Sequence, residues 1–211
     1  MANLEKIILA SNNAGKIREL TTLLQPFNMQ VIPQSEFNTQ DIEEPGLTFI
    51  ENAIIKARYA AQISGLRALA DDSGLAVDAL NGAPGIHSAR YAGDHLTPKE
   101  NIAKLTAEMQ NIPDNKRQAT FHCVLALLNS ADDPAPIVCH GRWHGMILRE
   151  MSGEHGFGYD PIFYVPSEKK SAAELTSERK NQLSHRGTAL RELLKILQEN
   201  LDCHGRFAAS Q

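Results

Sequence analysis

Lys6-Ile-Ile-Leu-Ala10 runs directly into Ser11-Asn-Asn-Ala-Gly15-Lys16, and the residues that follow place Ile17, Leu20, Leu23 and Leu24 on one helical face. A short apolar run has the pattern of a buried strand, and spacing by three and four is that of an amphipathic helix. Strand, small polar loop and helix in immediate succession predict an α/β protein. Pro26 ends the helix, and a second strand is predicted around Met29 to Pro33.

Further along, the chain keeps alternating. Gln40 to Gly46 is acidic and irregular. Thr48-Phe-Ile-Glu51 has the form of a capping box, and the helix it opens turns Ala53, Ile54, Ala57, Ala60 and Ala61 inward until Gly65. Leu66 to Ala70 predicts a short strand that ends at Asp71-Asp72-Ser73-Gly74. Thr97-Pro-Lys-Glu100 is a second capping box, with proline at the first helical position. Strands are expected over Ala119 to Leu128 and Ile137 to Leu148, then a glycine-rich loop from Gly153 to Asp160 and a short strand around Ile162 to Val165. A last helix from about Thr188 buries Leu190, Leu193, Leu194, Leu197 and Leu201, and the tail 202–211 has no pattern and is expected to be frayed. No repeat or linker interrupts 1–201, so one mixed α/β domain is expected.

Composition narrows the function. The 211 residues are 42% hydrophobic and 22% charged, with a net charge of -4. That is ordinary for a globular protein and lacks the basic footprint of a polynucleotide binder. No stretch is apolar enough to span a bilayer, and the N-terminal residues are expected not to form a secretory leader. Cys123, Cys139 and Cys203 are few and widely spaced, which points to reduced thiols and a cytoplasmic location.

Four groups of residues can carry chemistry. In Ser11-Asn12-Asn13-Ala14-Gly15-Lys16, small residues let backbone N–H groups face an anion at a helix start. Lys16 opposes the helix dipole unless an anion sits there; otherwise Asn12 or Asn13 is a simple cap and Lys16 is solvated. Asp41, Glu43, Glu44, Asp71 and Asp72 are hard oxygen ligands of the kind Mg²⁺ takes with a triphosphate, although Glu43 and Glu44 also fit an exposed acidic loop. Strand alternation allows only one of Asp71 and Asp72 to face a ligand, and which one is open. Gly156-Phe157-Gly158-Tyr159-Asp160-Pro161 can offer a ring to a planar base, or form a tight turn with Phe157 in the core. Lys180 and Ser184-His185-Arg186-Gly187 gather hydrogen-bond donors before a helix, or make a solvated basic face. His140 and His144 are four apart on a predicted strand, where that spacing clamps no metal. Cys123 and Cys139 with His122 and His140 match no zinc pattern.

Taken in order, Leu9-Ala-Ser-Asn-Asn-Ala-Gly-Lys16, Phe49-Ile-Glu-Asn-Ala53, Asp71-Asp-Ser-Gly-Leu75, Pro84-Gly85, Ser88-Ala-Arg-Tyr91, Gly156-Phe-Gly-Tyr-Asp-Pro161 and Ser184-His-Arg-Gly187 span nearly the whole chain. The set resembles the inosine/xanthosine triphosphatase family, which are pyrophosphatases of non-standard purine nucleoside triphosphates. The resemblance implies hydrolysis of ITP, dITP or XTP to the monophosphate and pyrophosphate, with water attacking the α-phosphate and Mg²⁺ as cofactor. It implies that Ser11, Asn12, Asn13, Ala14, Gly15 and Lys16 hold the triphosphate, with Lys56 as a further phosphate contact. Glu43 and Asp72 would serve the metal, Asp72 would also accept the proton of water, and Ser73 would touch the substrate. Phe157, Gly158, Tyr159 and Asp160 would form the base platform, with Lys180, His185 and Arg186 on its other side. The implied fold is an elongated mixed β-sheet with two α/β lobes around a central cleft, and the implied assembly is a homodimer. His87 stands where a tyrosine is common in the family, and Lys169-Lys170 replaces a more glycine-like turn. Two other readings fit part of the pattern: a pyrophosphatase for modified pyrimidine nucleotides, and a nucleotide-binding regulator that does not cleave.

Overall fold

The computed structural model describes residues 5–12, 14–37, 42–94 and 96–208. Among these residues, twelve α-helices and β-strands follow in the order β1 (Glu5–Leu9), α1 (Ala14–Leu24), β2 (Met29–Pro33), α2 (Phe49–Ser64), β3 (Arg67–Val77), α3 (Pro98–Glu108), β4 (Gln118–Leu128), β5 (Ile137–Ile147), β6 (Phe163–Val165), β7 (Lys170–Ser171), α4 (Ser177–Leu183) and α5 (His185–Ala208). The strands form one seven-stranded sheet ordered β2-β1-β3-β4-β5-β6-β7. β1 pairs in parallel with both β2 and β3, while β6 is antiparallel to β5 and to β7. Parallel neighbours need a crossover, which α1 supplies between β1 and β2. The sheet is therefore mixed.

The chain divides into two compact units, one of Met1–Asp72, Val124–Cys139 and Ala189–Gln211, the other of Ser73–Cys123 and His140–Thr188. In the first, Ala53, Ala57, Ala60 and Ala61 of α2 pack with Ile8, Ala68, Ala70, Val124 and Ala126. The small side chains bring the helix axis close to its neighbours. In the second, Leu75, Ile102, Leu105, Phe121, Trp143, Ile147 and Phe163 form the core, with the Phe121 and Phe163 ring centroids 4.5 Å apart. Each such large side chain stabilises the fold by about 1.5–3 kcal/mol when fully buried. Arg117, only 2% exposed, is held inside this unit by donating to the carbonyls of Met109, Ile112, Ile147 and Leu148.

Several boundaries differ from expectation for physical reasons. β3 does not stop at Ala70 but runs through both aspartates to Val77. The carboxylates meet lysines, and Leu75 and Val77 are fully buried beyond them. The Thr97 box closes in both directions. At α2 Thr48 accepts from the Glu51 N–H, but Glu51 reaches the N–H of Leu47 rather than that of Thr48. α4 has no buried residues, so it carries no apolar period to be read, and it starts on the Thr176 side chain accepting from the Arg179 N–H. α5 begins three residues before Thr188 because Ser184 accepts from the Gly187 N–H, and it continues to Ala208.

Candidate active site

In the first unit, β1, the start of α1, α2 and β3 converge on a polar pocket of about 190 Å³. Ser11, Lys16, Glu44, Lys56, Tyr59 and Asp71 are among its lining residues. Lys16 extends from the first turn of α1 to the buried carboxylate of Asp71. Its position against the helix dipole is thus matched by a negative charge. About two turns along α2 from the Thr48 cap, Lys56 places its Nζ 2.6 Å from Asp72 Oδ1 and 3.4 Å from Glu44 Oε1. Strand alternation sends Asp71 and Asp72 to different lysines.

Glu44 is held there by the backbone before α2. The fully buried Asn52 accepts from the Gly46 N–H at 2.8 Å. A Cβ on Gly46 would lie 2.5 Å from that Asn52 oxygen, so only glycine permits the approach. Glu43, one residue earlier, is exposed.

The electrostatics follow from burial. Desolvation pushes the Asp72 carboxyl up to about 6; Lys56 opposes the shift, and Glu44 and Asp71 add to it. Burial alone would lower the Lys56 ammonium, but Asp72, Glu44 and Asp71 together outweigh it and raise it. Asp72 Oδ2 is buried with no hydrogen bond among the described residues. An orphaned carboxylate oxygen beside a second carboxylate suits a hard divalent cation. Among the described residues no cluster of three or more His, Cys, Asp or Glu side chains could hold a metal. Asp72 and Glu44 would supply carboxylates and leave other positions to phosphate and water, the usual arrangement for Mg²⁺.

In the second unit a pocket of about 280 Å³ is lined by Ser73, Phe121, Phe157, Tyr159, His185 and Arg186, among others. This is near the lower end of the ~300–1,000 Å³ typical of small-molecule sites. Gly156 has φ +86°, and a Cβ there would lie 2.3 Å from Asp160 Oδ2. The turn brings the buried Asp160 back to accept from the Phe157 N–H at 2.7 Å and from Lys180. Phe157 is left 58% exposed, with Lys180 Nζ 4.6 Å and Arg186 Cζ 5.5 Å from its ring centroid. The His185 ring stacks on Phe121 at 4.8 Å and 10°. The Tyr159 hydroxyl donates to the Ser88 carbonyl, and Ser88 Oγ accepts from the Leu75 N–H. Asn101 braces the same wall by accepting from Ala92 N–H and donating to the Ala89 carbonyl.

Most of the expected residues therefore gather in one of the two pockets. Ser11 and Lys16 line the polar one, while Asn12 is exposed and does not. Ala14 and Gly15 lie in the first turn of α1, and Asn13 and Asp41 lie outside the described residues. Ser73, Phe157, Gly158, Tyr159, Asp160, His185 and Arg186 line the apolar pocket, with Lys180 reached through Asp160. His185 and Arg186 sit in the first turn of α5, not before it. Asp160 is engaged by the protein's own donors. Asn52, Phe121 and Asn101 are not among the expected site residues, whereas Glu44 is expected only as one of a group of carboxylates. Asn52 lies inside Phe49-Ile-Glu-Asn-Ala53 and Ser88 opens Ser88-Ala-Arg-Tyr91, but nothing local in the sequence separates Glu44 from Glu43. Cys123 and Cys139 are buried, and burial raises the Cys139 thiol to about 11. His122 and His140 contact each other at 3.0 Å from alternate positions of β4 and β5.

The mixed α/β fold thus carries a lysine–carboxylate pocket suited to an anionic group in one unit and an aromatic, donor-rich pocket suited to a planar ring in the other. The chain belongs to the Ham1 family, whose model matches residues 7–196. It is 58% identical to the dITP/XTP pyrophosphatase of Vibrio cholerae over 200 residues, covering 95% of this chain and all of that one. To the dITP/XTP pyrophosphatase of Escherichia coli K12 it is 57% identical over 194 residues, 92% of this chain and 98% of that one. The solved structure of a HAM1 protein from Coxiella burnetii superposes with a TM-score of 0.89 at 54% identity, covering 92% and 99% of the two chains.

Proposed function

We propose that the protein hydrolyses non-standard purine nucleoside triphosphates, ITP, dITP and XTP, to the nucleoside monophosphate and pyrophosphate. The observation that carries this reading is the buried Asp72 and the half-buried Glu44 on one lysine, in a chain whose relatives are named dITP/XTP pyrophosphatases. A divalent ion, which we take to be Mg²⁺, would supply positive charge to the phosphate oxygens and lower the pKa of coordinated water. Asp72 Oδ2 and Glu44 would hold it, so the second carboxylate is assigned to Glu44 instead of Glu43. Lys16 and Lys56 offset the charge that builds on the pyrophosphate leaving group. Ser11 and the backbone N–H groups at the start of α1 bind phosphate oxygens. Asp72 takes the proton of the attacking water.

The base would stack on the exposed Phe157 ring. Lys180 and Arg186 approach that ring as donors and suit the oxygen at purine position 6. Adenine carries an amino group there, which would set donor against donor. Sites built on such hydrogen bonds reject the wrong partner by about 10⁴-fold. Asp160 holds Lys180 in place. A homodimer in the cytoplasm is the assembly and location in keeping with this reading. Among the described residues, no helix is long and apolar enough to cross a membrane.

The test is a nucleotide panel with Mg²⁺ in ¹⁸O-labelled water. ITP, dITP and XTP should be cleaved far faster than ATP, and the label should enter the monophosphate. Label in orthophosphate with a diphosphate product would contradict cleavage at the α-phosphate. Intact bound nucleotide would favour the regulator. Arg186→Ala should lower kcat/KM on ITP more than on ATP; an equal loss would mean that Arg186 does not read the base.

A further inference from the structure

We infer that Lys56 occupies the place of the divalent cation between Asp72 and Glu44 when no nucleotide is bound, and so makes metal binding conditional on the triphosphate. This rests on the reading of Asp72 and Glu44 as the metal carboxylates. Its geometry is direct: one ammonium lies 2.6 Å from one carboxylate oxygen and 3.4 Å from the other. The side chains of Lys56, Asp72 and Glu44 are only 15%, 9% and 24% exposed. Screening by water is therefore weak, and the pair of negative charges needs a local counter-charge.

Charge balance among the neighbouring side chains explains why the same lysine then gives way. Asp71, Asp72 and Glu44 face Lys16 and Lys56, which leaves one net negative charge among the five groups. A bare divalent ion must approach an ammonium already seated between its two ligands, and the like charges repel. A metal arriving with a triphosphate brings several phosphate oxygens with it. Lys56, a point charge with three donors on a flexible stem, can exchange Asp72 for those oxygens without losing its counter-charge. The buried Asp72 Oδ2, with no hydrogen bond among the described residues, is the carboxylate atom left for the ion. Free metal in the cell would thus not fill the site ahead of the substrate.

The experiment compares Mn²⁺ binding, read by water proton relaxation, on the full-length wild type and on K56M, K56Q and K56R. K56Q retains an N–H donor for Asp72, so it serves if K56M does not fold. Without nucleotide, K56M or K56Q should bind Mn²⁺ at least about tenfold more tightly than the wild type, because a like charge a few ångströms away is removed. K56R, which keeps the charge, should bind as weakly as the wild type. With the α,β-imido analogue of ITP added, Mn²⁺ affinity should rise more in the wild type than in the neutral variants. Neutral variants that bind Mn²⁺ alone no more tightly than the wild type overturn the inference. Hydrolysis of ITP by the wild type is measured in parallel. If ITP is cleaved and the neutral variants gain no Mn²⁺ affinity, the role of Lys56 fails alone; if no nucleoside triphosphate is cleaved, the enzymatic reading fails first.

Discussion

Asp72 has two oxygens in different surroundings, Oδ1 on Lys56 and Oδ2 buried without a hydrogen bond among the described residues. Replacing it with asparagine keeps the shape and an acceptor for Lys56 while removing the charge and the proton acceptor. Asp72→Asn should lower kcat by about 10²–10⁴-fold, the usual cost of losing a general base, with the circular dichroism spectrum unchanged. Asp71→Asn should cost less, since Asp71 is engaged by Lys16. A larger loss from Asp71 would reverse the two roles. At Gly156 the argument is steric. A methyl group there would meet Asp160 Oδ2 at 2.3 Å in a backbone conformation with positive φ. Such strain costs of order 1–3 kcal/mol, so Gly156→Ala should raise KM for ITP by roughly tenfold or more. Because the reacting phosphate is bound by other residues, kcat should fall much less; equal loss in both would place the glycine in the chemistry.

Between residue and fold lie the strands β4 and β5, which present different chemistry on alternate residues. Phe121 and Cys123 are buried, while Thr120 and His122 meet His144 and His140 at 3.0 Å. Burial lowers the His122 imidazole to about 4, assisted by the charges of His140, Arg142 and His144. Above pH ~6.5 it is neutral folded and unfolded, and contributes no slope. As the pH falls from 6.5 towards 4, the unfolded chain takes up a proton at this position that the folded chain refuses, and stability is lost. Below 4 both forms are charged and the loss levels off. His122→Gln should therefore flatten the decline of Tm between pH 6.5 and 4 relative to the wild type. Parallel curves would show that the imidazole titrates alike in both states.

For the molecule as a whole, ligand binding and stability are linked. A ligand that binds only the folded chain at a hundred times its Kd adds about 2.7 kcal/mol. In a chain of this length that corresponds to about 2–4 °C per kcal/mol. Mg²⁺ with the α,β-imido analogue of ITP should raise Tm accordingly, whereas Mg²⁺ alone should leave it almost unchanged. The corresponding ATP analogue at the same concentration should give a much smaller rise. Equal rises for the two analogues would move base discrimination from binding to the chemical step.

The sequence by itself determined what depends on a few neighbouring residues. Lys6 to Leu24 specify a strand, loop and helix, through an apolar run, small polar residues and apolar residues at helical spacing in turn. Thr97 to Glu100 specify a capped helix start, and Gly156 to Asp160 a turn that closes on its own carboxylate. Elements without an apolar period, such as α4, left no such trace. The tertiary structure alone decided which charges meet. Lys16 and Asp71 are 55 positions apart, and Lys56 and Asp72 are 16 apart. Their pairing depends on β1 lying beside β3 and on α2 packing its alanines inward. Glu44 lies 3.4 Å from Lys56 while Glu43 is exposed, a difference that two adjacent glutamates do not carry in the sequence. Local sequence sets conformation through short-range sterics and hydrogen bonds, but a buried charge takes its partner from whatever the packed elements bring within reach.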